Sequence, residues 1–562
     1  MFKFAADDRY YAAWHVEGGA PTPPLDPVRS KLMNGDTFDI DDGVAIIRSS
    51  PAREASRHLG VLAVSSVATY GIHRGKHLFR CVPDDKKLPC FLVPYRPRHK
   101  FVKHRANRFI SFRFKNWSGK HPQGEIVQVI GDVTDPTAFT DYQLMRRGLW
   151  NAADRRKFAA AALRGTGGRG DYNVVRSMKG DTVDRCDTAV VTLDPDGSKD
   201  FDDAFGLTFD TDSRLVLSVY IANVPAWLGA LGLWGYVGNT AATVYLPSRR
   251  LSMLPAILSD DLCSLRAGHV RPAMGLDIEL CPQDSRILRA TLVSARIKVA
   301  RNLVYDSRQA RRDGTASRVL GIVRRMNEHQ PYLDGVLDGH DMVAYLMLFV
   351  NHYCAVRLSH HKCGIFRTLT SPAQREAPAE LRTFLRGWES GGAKYVAYGD
   401  GSRRHDMLGL DEYCHITSPI RRLADLANMA SLLELEGFIE IPAEGRAMLQ
   451  GLDLAHVNAG MRATRRVQGD CTLLWTFQNG QRSDPHECTI VAVGDHKLEG
   501  KAAYTVYIPG VPTVGRVVAD TGTPVFAKKH VRIYVFTDES SLRRKVRLSF
   551  VKDHRGAPAG KT

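Results

Sequence analysis

Thr192-Leu-Asp-Pro-Asp-Gly-Ser-Lys-Asp-Phe-Asp-Asp203 places five carboxylates within ten residues. β-type runs flank it at 188–193 and 204–208, so the stretch is expected to run strand, tight Pro-Asp-Gly turn, second strand. Mutual repulsion makes such density costly unless divalent cations neutralise it, and hard oxygen ligands suit magnesium or manganese. A solvated Asp-rich turn or a calcium loop has a similar composition. An EF-hand needs glycine at its sixth place and a carboxylate at its twelfth. Counted from Asp194, Gly197 is fourth and Phe205 twelfth, so that reading fails. Clustered aspartates suit phosphodiester hydrolysis, where metals activate water and stabilise the leaving oxygen.

Outward from this loop, a third strand is expected at 215–221, followed by helical patterns at 300–328, 341–358, 379–386 and 420–435. Short β-runs at 43–47, 60–67, 89–93 and 109–114 suggest small barrels upstream. Runs at 489–493, 504–508, 515–518 and 531–535 suggest another downstream. The expected organisation is an N-terminal arm (1–35), an OB or cold-shock-like β-barrel region (36–142) and a helical linker with a Gly-rich end (143–172). A mixed α/β catalytic domain with C-terminal helices (173–476), an OB-type barrel (477–552) and a tail (553–562) follow. The fold class is multidomain α/β with flanking β-barrels.

A chain of 562 residues with a formal charge of +17 favours a polyanionic partner. Between His77 and Lys120 cations interleave with aromatics, including Phe79, Phe91, Tyr95, Phe101, Phe109, Phe112, Phe114 and Trp117, a mixture that serves single-strand binding or simply a barrel core. Ten cysteines without a Cys-x-x-Cys pair point to a reducing compartment, and the absence of an apolar leader makes cytoplasm the expectation. The apolar stretch 342–358 contains Asn351, His352 and Arg357 and falls short of the ~18–20 residues of a membrane span, so a buried helix is expected. No phosphate-binding Gly-x-x-x-x-Gly-Lys loop is present, so no nucleotide cofactor is expected. His352, Cys354, His360, His361 and Cys363 lack paired-ligand spacing for zinc. No coiled-coil heptad appears, and a monomer is the default.

The acid loop resembles the motif of the ribonuclease II / ribonuclease R (RNB) family, with acids at its first, seventh, ninth and tenth places: Asp194, Asp200, Asp202 and Asp203. Three further segments resemble the same family in the same order, so the likeness covers most of 185–435. They are Tyr220-Ile-Ala-Asn-Val; Val244-Tyr-Leu-Pro with Met253-Leu-Pro and Leu258-Ser-Asp-Asp-Leu-Cys-Ser-Leu265; and Tyr413-Cys-His-Ile-Thr-Ser-Pro-Ile-Arg-Arg422. In the last, Ser418 is expected to N-cap a helix with Pro419 at its first position, presenting free N–H groups and two guanidiniums to a phosphate.

The resemblance implies a 3′-to-5′ exoribonuclease that degrades single-stranded RNA to nucleoside 5′-monophosphates with Mg2+ or Mn2+. It implies a metal site at Asp194, Asp203, Asp200 and Asp202, with Asp194 and Asp203 as direct ligands, Asp200 in support and Asp202 positioning or deprotonating water. Arg421 and Arg422 hold the phosphate, and Tyr245 and Tyr305 stack on or clamp the terminal nucleotides. The chain departs from the family at Asn223, where an Asp is usual, and at Ala344, Tyr345 and Thr464, where glutamates are usual. These departures motivate a rival reading, an RNA-binding scaffold that keeps the fold; an endonuclease is a third.

Overall fold

The computed structural model describes residues 1–551 apart from 20, 67, 98–104, 167–181, 210–213, 371–377, 379–380, 382–383, 386–387, 389–390, 478–483, 497 and 512. They form two compact units, one of 1–150 with 466–562 and one of 151–465. The division falls at Trp150 and Arg465, not at 172 and 476, and assigns the helix Ala152–Gly165 to the second unit.

The expected N-terminal arm is instead a small sheet. Strands β1 (Phe2–Ala6), β2 (Trp14–Val16), β3 (Thr37–Asp41) and β4 (Val44–Ser49) run in the order β2-β1-β3-β4. Phe4 is buried between Tyr11 and Trp14, and Phe2 pairs with Phe38. These few aromatics supply the core that the Pro- and Gly-rich composition concealed.

A six-stranded sheet follows, built from β5 (His58–Leu62), β6 (Ile72–His73), β7 (Lys76–Pro83), β8 (Phe91–Tyr95), β9 (Arg108–Asn116) and β10 (Gln123–Asp132). The order is β5-β9-β10-β8-β7-β6, with an added β5–β7 pairing. Phe79, Phe91 and Phe112 fill its interior and Phe109 is buried against Phe139 and Tyr142, so these aromatics of the basic stretch are core and not a stacking surface. Phe101, with the cations Arg98, Lys100 and Lys103, lies outside the described residues.

The second unit is built on a closed five-stranded barrel: β11 (Val183–Asp194), β12 (Asp203–Phe209), β13 (Leu215–Ala222), β16 (Val270–Leu280) and β17 (Ile287–Val304). A hairpin of β14 (Val244–Tyr245) and β15 (Arg250–Leu251) lies between β13 and β16 in the chain. The helix expected at 300–328 starts late. β17 runs to Val304 because it pairs in parallel with β11 as far as Asp194, and helices Arg308–Arg312 and Gly314–His329 follow.

Helix Gly339–His360 is long and apolar enough to cross a membrane by length and composition, but Met342, Tyr345, Leu346, Val350, Cys354 and Leu358 are buried in this unit's core. β18 (Ile365–Thr368) pairs with β19 (Lys394–Ala397); the helix expected at 379–386 falls largely outside the described residues. Helix Leu423–Leu435 is almost wholly buried. The chain ends in a second closed barrel, β20 (His486–Asp495), β21 (Lys501–Tyr507), β22 (Val514–Asp520), β23 (Lys528–Thr537) and β24 (Arg544–Phe550), around Cys488, Ile490, Tyr504, Val506 and Val517.

Candidate active site

The acid loop joins two adjacent barrel strands, with Asp194 ending β11 and Asp203 opening β12. Between them Gly197 adopts φ +76°, a left-handed turn conformation that a side chain disfavours. The loop is strapped by Ser264, whose hydroxyl donates to the Lys199 carbonyl at 2.7 Å and accepts the Phe201 N–H at 3.1 Å. Arg271, buried, donates to the Ser264 and Asp261 carbonyls. The run Leu258 to Leu265 therefore builds the floor of the loop.

The four acids divide into two kinds. Both oxygens of Asp200 take protein donors: Arg250 Nη1 on Oδ1, and the Tyr245 hydroxyl on Oδ2 at 2.9 Å. Asp202, only 2% exposed, accepts the Ile420 N–H on Oδ1 at 2.9 Å and Arg421 Nε on Oδ2 at 2.8 Å. Asp194 has a buried Oδ2 with no hydrogen-bond partner. Burial raises the Asp194 carboxyl to about 7, with the charge of Asp202 adding to the rise. Asp203 is likewise pushed up to about 7 by burial and then by Asp194. Burial raises Asp202 to about 7 as well, against the downward pull of Arg421 and the Ile420 N–H.

Ser418 does not cap a helix. The helix starts at Leu423 behind an extended Arg422, and 418–422 is a turn closed by the Arg421 and Arg422 N–H groups on the Ser418 carbonyl. The expected free N–H groups are engaged: Ile420's by Asp202, and Ser418's by Asp425 at 2.9 Å. A tertiary bond to the acid loop thus overrides the local Ser-Pro capping pattern. Arg421 faces the acids, and its Nη2 donates to the Ser418 hydroxyl at 3.1 Å. Arg422 pairs with buried Asp425 at 2.8 Å, while its charge still lowers the pKa of Asp203. The two arginines are therefore not an equivalent pair.

Tyr245, 42% exposed, stands beside Asp200. Tyr305 follows β17 directly; its N–H donates to the Asp194 carbonyl at 3.0 Å, and its ring stacks on His340 with centroids 3.7 Å apart. One face of the expected clamp is thus already occupied by an imidazole. Asn223 accepts the Ala226 N–H at 3.1 Å and caps helix Val224–Ala230. Tyr345 is wholly buried, with its hydroxyl donating to the Gln330 carbonyl, so it does not replace a site glutamate. Ala344 is exposed, and Thr464 is buried with an unpartnered hydroxyl.

Among the described residues no group of three or more His, Cys, Asp or Glu side chains is arranged to hold a metal ion, and Arg250 and Arg421 already engage Asp200 and Asp202. What remains is Asp194 and Asp203: half-buried, mutually repelling, and with the Oδ2 of Asp194 unsatisfied. That donor pair fits magnesium, which commonly keeps several waters and takes one or two carboxylates along with substrate phosphate. Sequence reasoning missed Arg250, Asp260, Ser264 and His340. Asp260 and Ser264 lie within the quoted run Leu258 to Leu265, but nothing in the sequence tied them, Arg250 or His340 to the acid loop.

A closed barrel with an aspartate-rich strand connection, pinned by an arginine from a distant turn, defines a class of RNB-type domains. Residues 183–321 and 327–435 match the model of the RNB domain, so the second unit carries an RNB-type domain. It is 27% identical over 236 residues to Ribonuclease R of Thermotoga maritima, across 41% of this chain and 30% of that protein. It is 29% identical over 298 residues to Exoribonuclease 2 of Salmonella typhimurium, across 51% and 42%. These matches span less than half of either relative. Mycoplasma genitalium RNase R, solved with ribose-methylated single-stranded RNA, superposes with a TM-score of 0.65 at 17% identity, over 93% of this chain and 95% of that one. Yeast Ssd1, described as a pseudonuclease, superposes at 0.54 with 15% identity, over 90% and 71%. The shared fold thus hosts both nuclease and pseudonuclease, and the argument for activity rests on side chains.

Proposed function

We propose that this protein hydrolyses single-stranded RNA from its 3′ end in a reducing, cytoplasmic compartment, releasing nucleoside 5′-monophosphates with a divalent cation, Mg2+ or Mn2+, held by Asp194 and Asp203. The observation that carries this reading is the buried, unpartnered Oδ2 of Asp194 facing the charge of Asp203. A scaffold has no physical use for two adjacent, mutually repelling carboxylates whose charge the nearby arginines only partly offset. When bound, the cation would lower the pKa of its water and take up charge on the phosphoryl oxygens.

The residues of the chain do the rest. Arg421, fixed by Asp202 and Ser418, presents a guanidinium to the phosphate and stabilises the charge that develops there. Both Asp202 oxygens already take donors, so its role is to orient Arg421, not to act as the base. Arg422 adds charge from behind, oriented by Asp425. Tyr245 and the Tyr305–His340 stack flank the acids and offer rings to terminal bases. Water oxygen bonds to phosphorus, the bond to the 3′-oxygen of the preceding nucleotide breaks, and that oxygen leaves with a proton.

The test is digestion of a 5′-labelled RNA in Mg2+ or Mn2+. A ladder shortening from the 3′ end, lost in Asp194→Asn while RNA binding persists, supports the reading. Tight binding of RNA that stays intact in both metals would favour the scaffold reading, to which Ala344, Tyr345 and Thr464 lend weight.

A further inference from the structure

Arg250 is a cation inside an acid cluster, and it is doubly anchored. Its Nη1 binds Asp200, while its Nη2 donates to Asp260 Oδ1 at 2.5 Å, an oxygen that also accepts the Ser259 hydroxyl. The Arg250 side chain is 19% exposed and that of Asp200 only 7%. Arg250 and Tyr245 are directly opposed across the β14–β15 hairpin, so one hairpin rung grips both oxygens of one carboxylate.

We infer that Arg250 is a resident positioning cation: it neutralises Asp200, withdraws that carboxylate from metal binding, and locks the Tyr245 hairpin onto the acid loop. This rests on the proposed metal reading and narrows it to a single ion at Asp194 and Asp203. A planar guanidinium with five donors can bridge two carboxylates at once, whereas a lysine ammonium on a flexible stem cannot reproduce that fork. The charge that a second divalent ion would supply beside Asp200 is already built into the chain. Asp200 then serves as the latch that orients the tyrosine.

The inference is tested by titrating the full-length protein with Mn2+ alone, counting ions by calorimetry and by the electron paramagnetic resonance of the free ion. One tight site is expected in wild type, lost in Asp194→Asn and retained in Asp200→Asn. Arg250→Met is expected to gain a second site as Asp200 is released. RNA affinity, measured in chelator so that no metal contributes, is expected to fall about tenfold in Arg250→Met through loss of one ordered stacking ring. Arg250→Lys, which keeps the charge, is expected to leave the count at one but to lose RNA affinity similarly. Thermal melts of each variant separate these effects from unfolding. Two tight ions in wild type, or loss of the site in Asp200→Asn, overturns the inference while sparing the metal reading. An unchanged single site together with unchanged RNA affinity in folded Arg250→Met also overturns it. No Mn2+ binding in wild type overturns both.

Discussion

At the scale of single residues, the division of labour among the four aspartates sets distinct outcomes for their substitution. Asp202→Asn keeps the shape but replaces the acceptor that holds Arg421 Nε, so turnover is expected to fall by roughly 100- to 1000-fold with RNA affinity retained. Single-turnover digestion beside a binding titration checks this. The pair Asp194 and Asp203 also gives the unloaded protein a pH dependence. Both sit near 7 in the folded chain, against about 4 for a free carboxyl. Between those values the folded state binds more protons than the unfolded one, so stability falls as pH rises. Their contribution is complete below about pH 4 and lost above about pH 7. In chelator, the melting temperature of the second unit is therefore expected to drop between pH 5.5 and 8. Asp203→Asn is expected to flatten that drop, and Mg2+ to raise the melting temperature most at pH 8.

At the scale of elements, the floor of the acid loop is as informative as the loop. Ser264→Ala removes one hydroxyl that both donates to Lys199 and accepts from Phe201. It leaves a part-buried carbonyl and N–H without this partner, at a cost of about 1 kcal/mol. Thermal denaturation should register this, with a parallel loss of turnover as Asp200 and Asp202 drift. Asn223→Ala deletes the cap of Val224–Ala230 and is expected to cost about 1 kcal/mol, read in the same melt.

The acid loop was legible because its residues are contiguous and two strands flank it. Its neutralisation was not, because Arg421 reaches Asp202 from 219 positions away and Arg250 reaches Asp200 from 50. The false cap at Ser418 has the same origin: Ile420's N–H serves Asp202, and the helix waits until Leu423. The N-terminal sheet escaped notice because strands of three to five residues carry too few periods for alternation to show. The strands at Asp203–Phe209 and Leu215–Ala222, by contrast, were read to within a residue of their ends, since largely apolar runs leave little choice, whereas the polar start of Val183–Asp194 hid its first five residues.

At the scale of the molecule, the first unit is assembled from both ends of the chain, and Asp84 is its junction. Asp84 accepts the Tyr142 hydroxyl at 3.2 Å and Arg146 Nε at 2.5 Å, and it pairs with Arg543 of the C-terminal barrel. Tyr142 in turn stacks on Phe109, 4.3 Å between centroids. Asp84→Ala strands a largely buried Arg543 and is expected to cost about 3–5 kcal/mol. Limited proteolysis should then cut first near 538–543. The +17 charge carries its own expectation: affinity for RNA should fall linearly on a log-log plot against salt, with a slope counting the phosphates neutralised.

The Asp84–Arg543 pair spans 459 positions of sequence. During synthesis Asp84 emerges and waits, bonded to Tyr142 and Arg146 alone, until nearly four hundred further residues bring out Arg543. The second unit, 151–465, is encoded entirely inside that interval. A message truncated between Arg465 and Arg543 therefore yields a chain whose second unit can be whole while its first lacks the partner of Asp84.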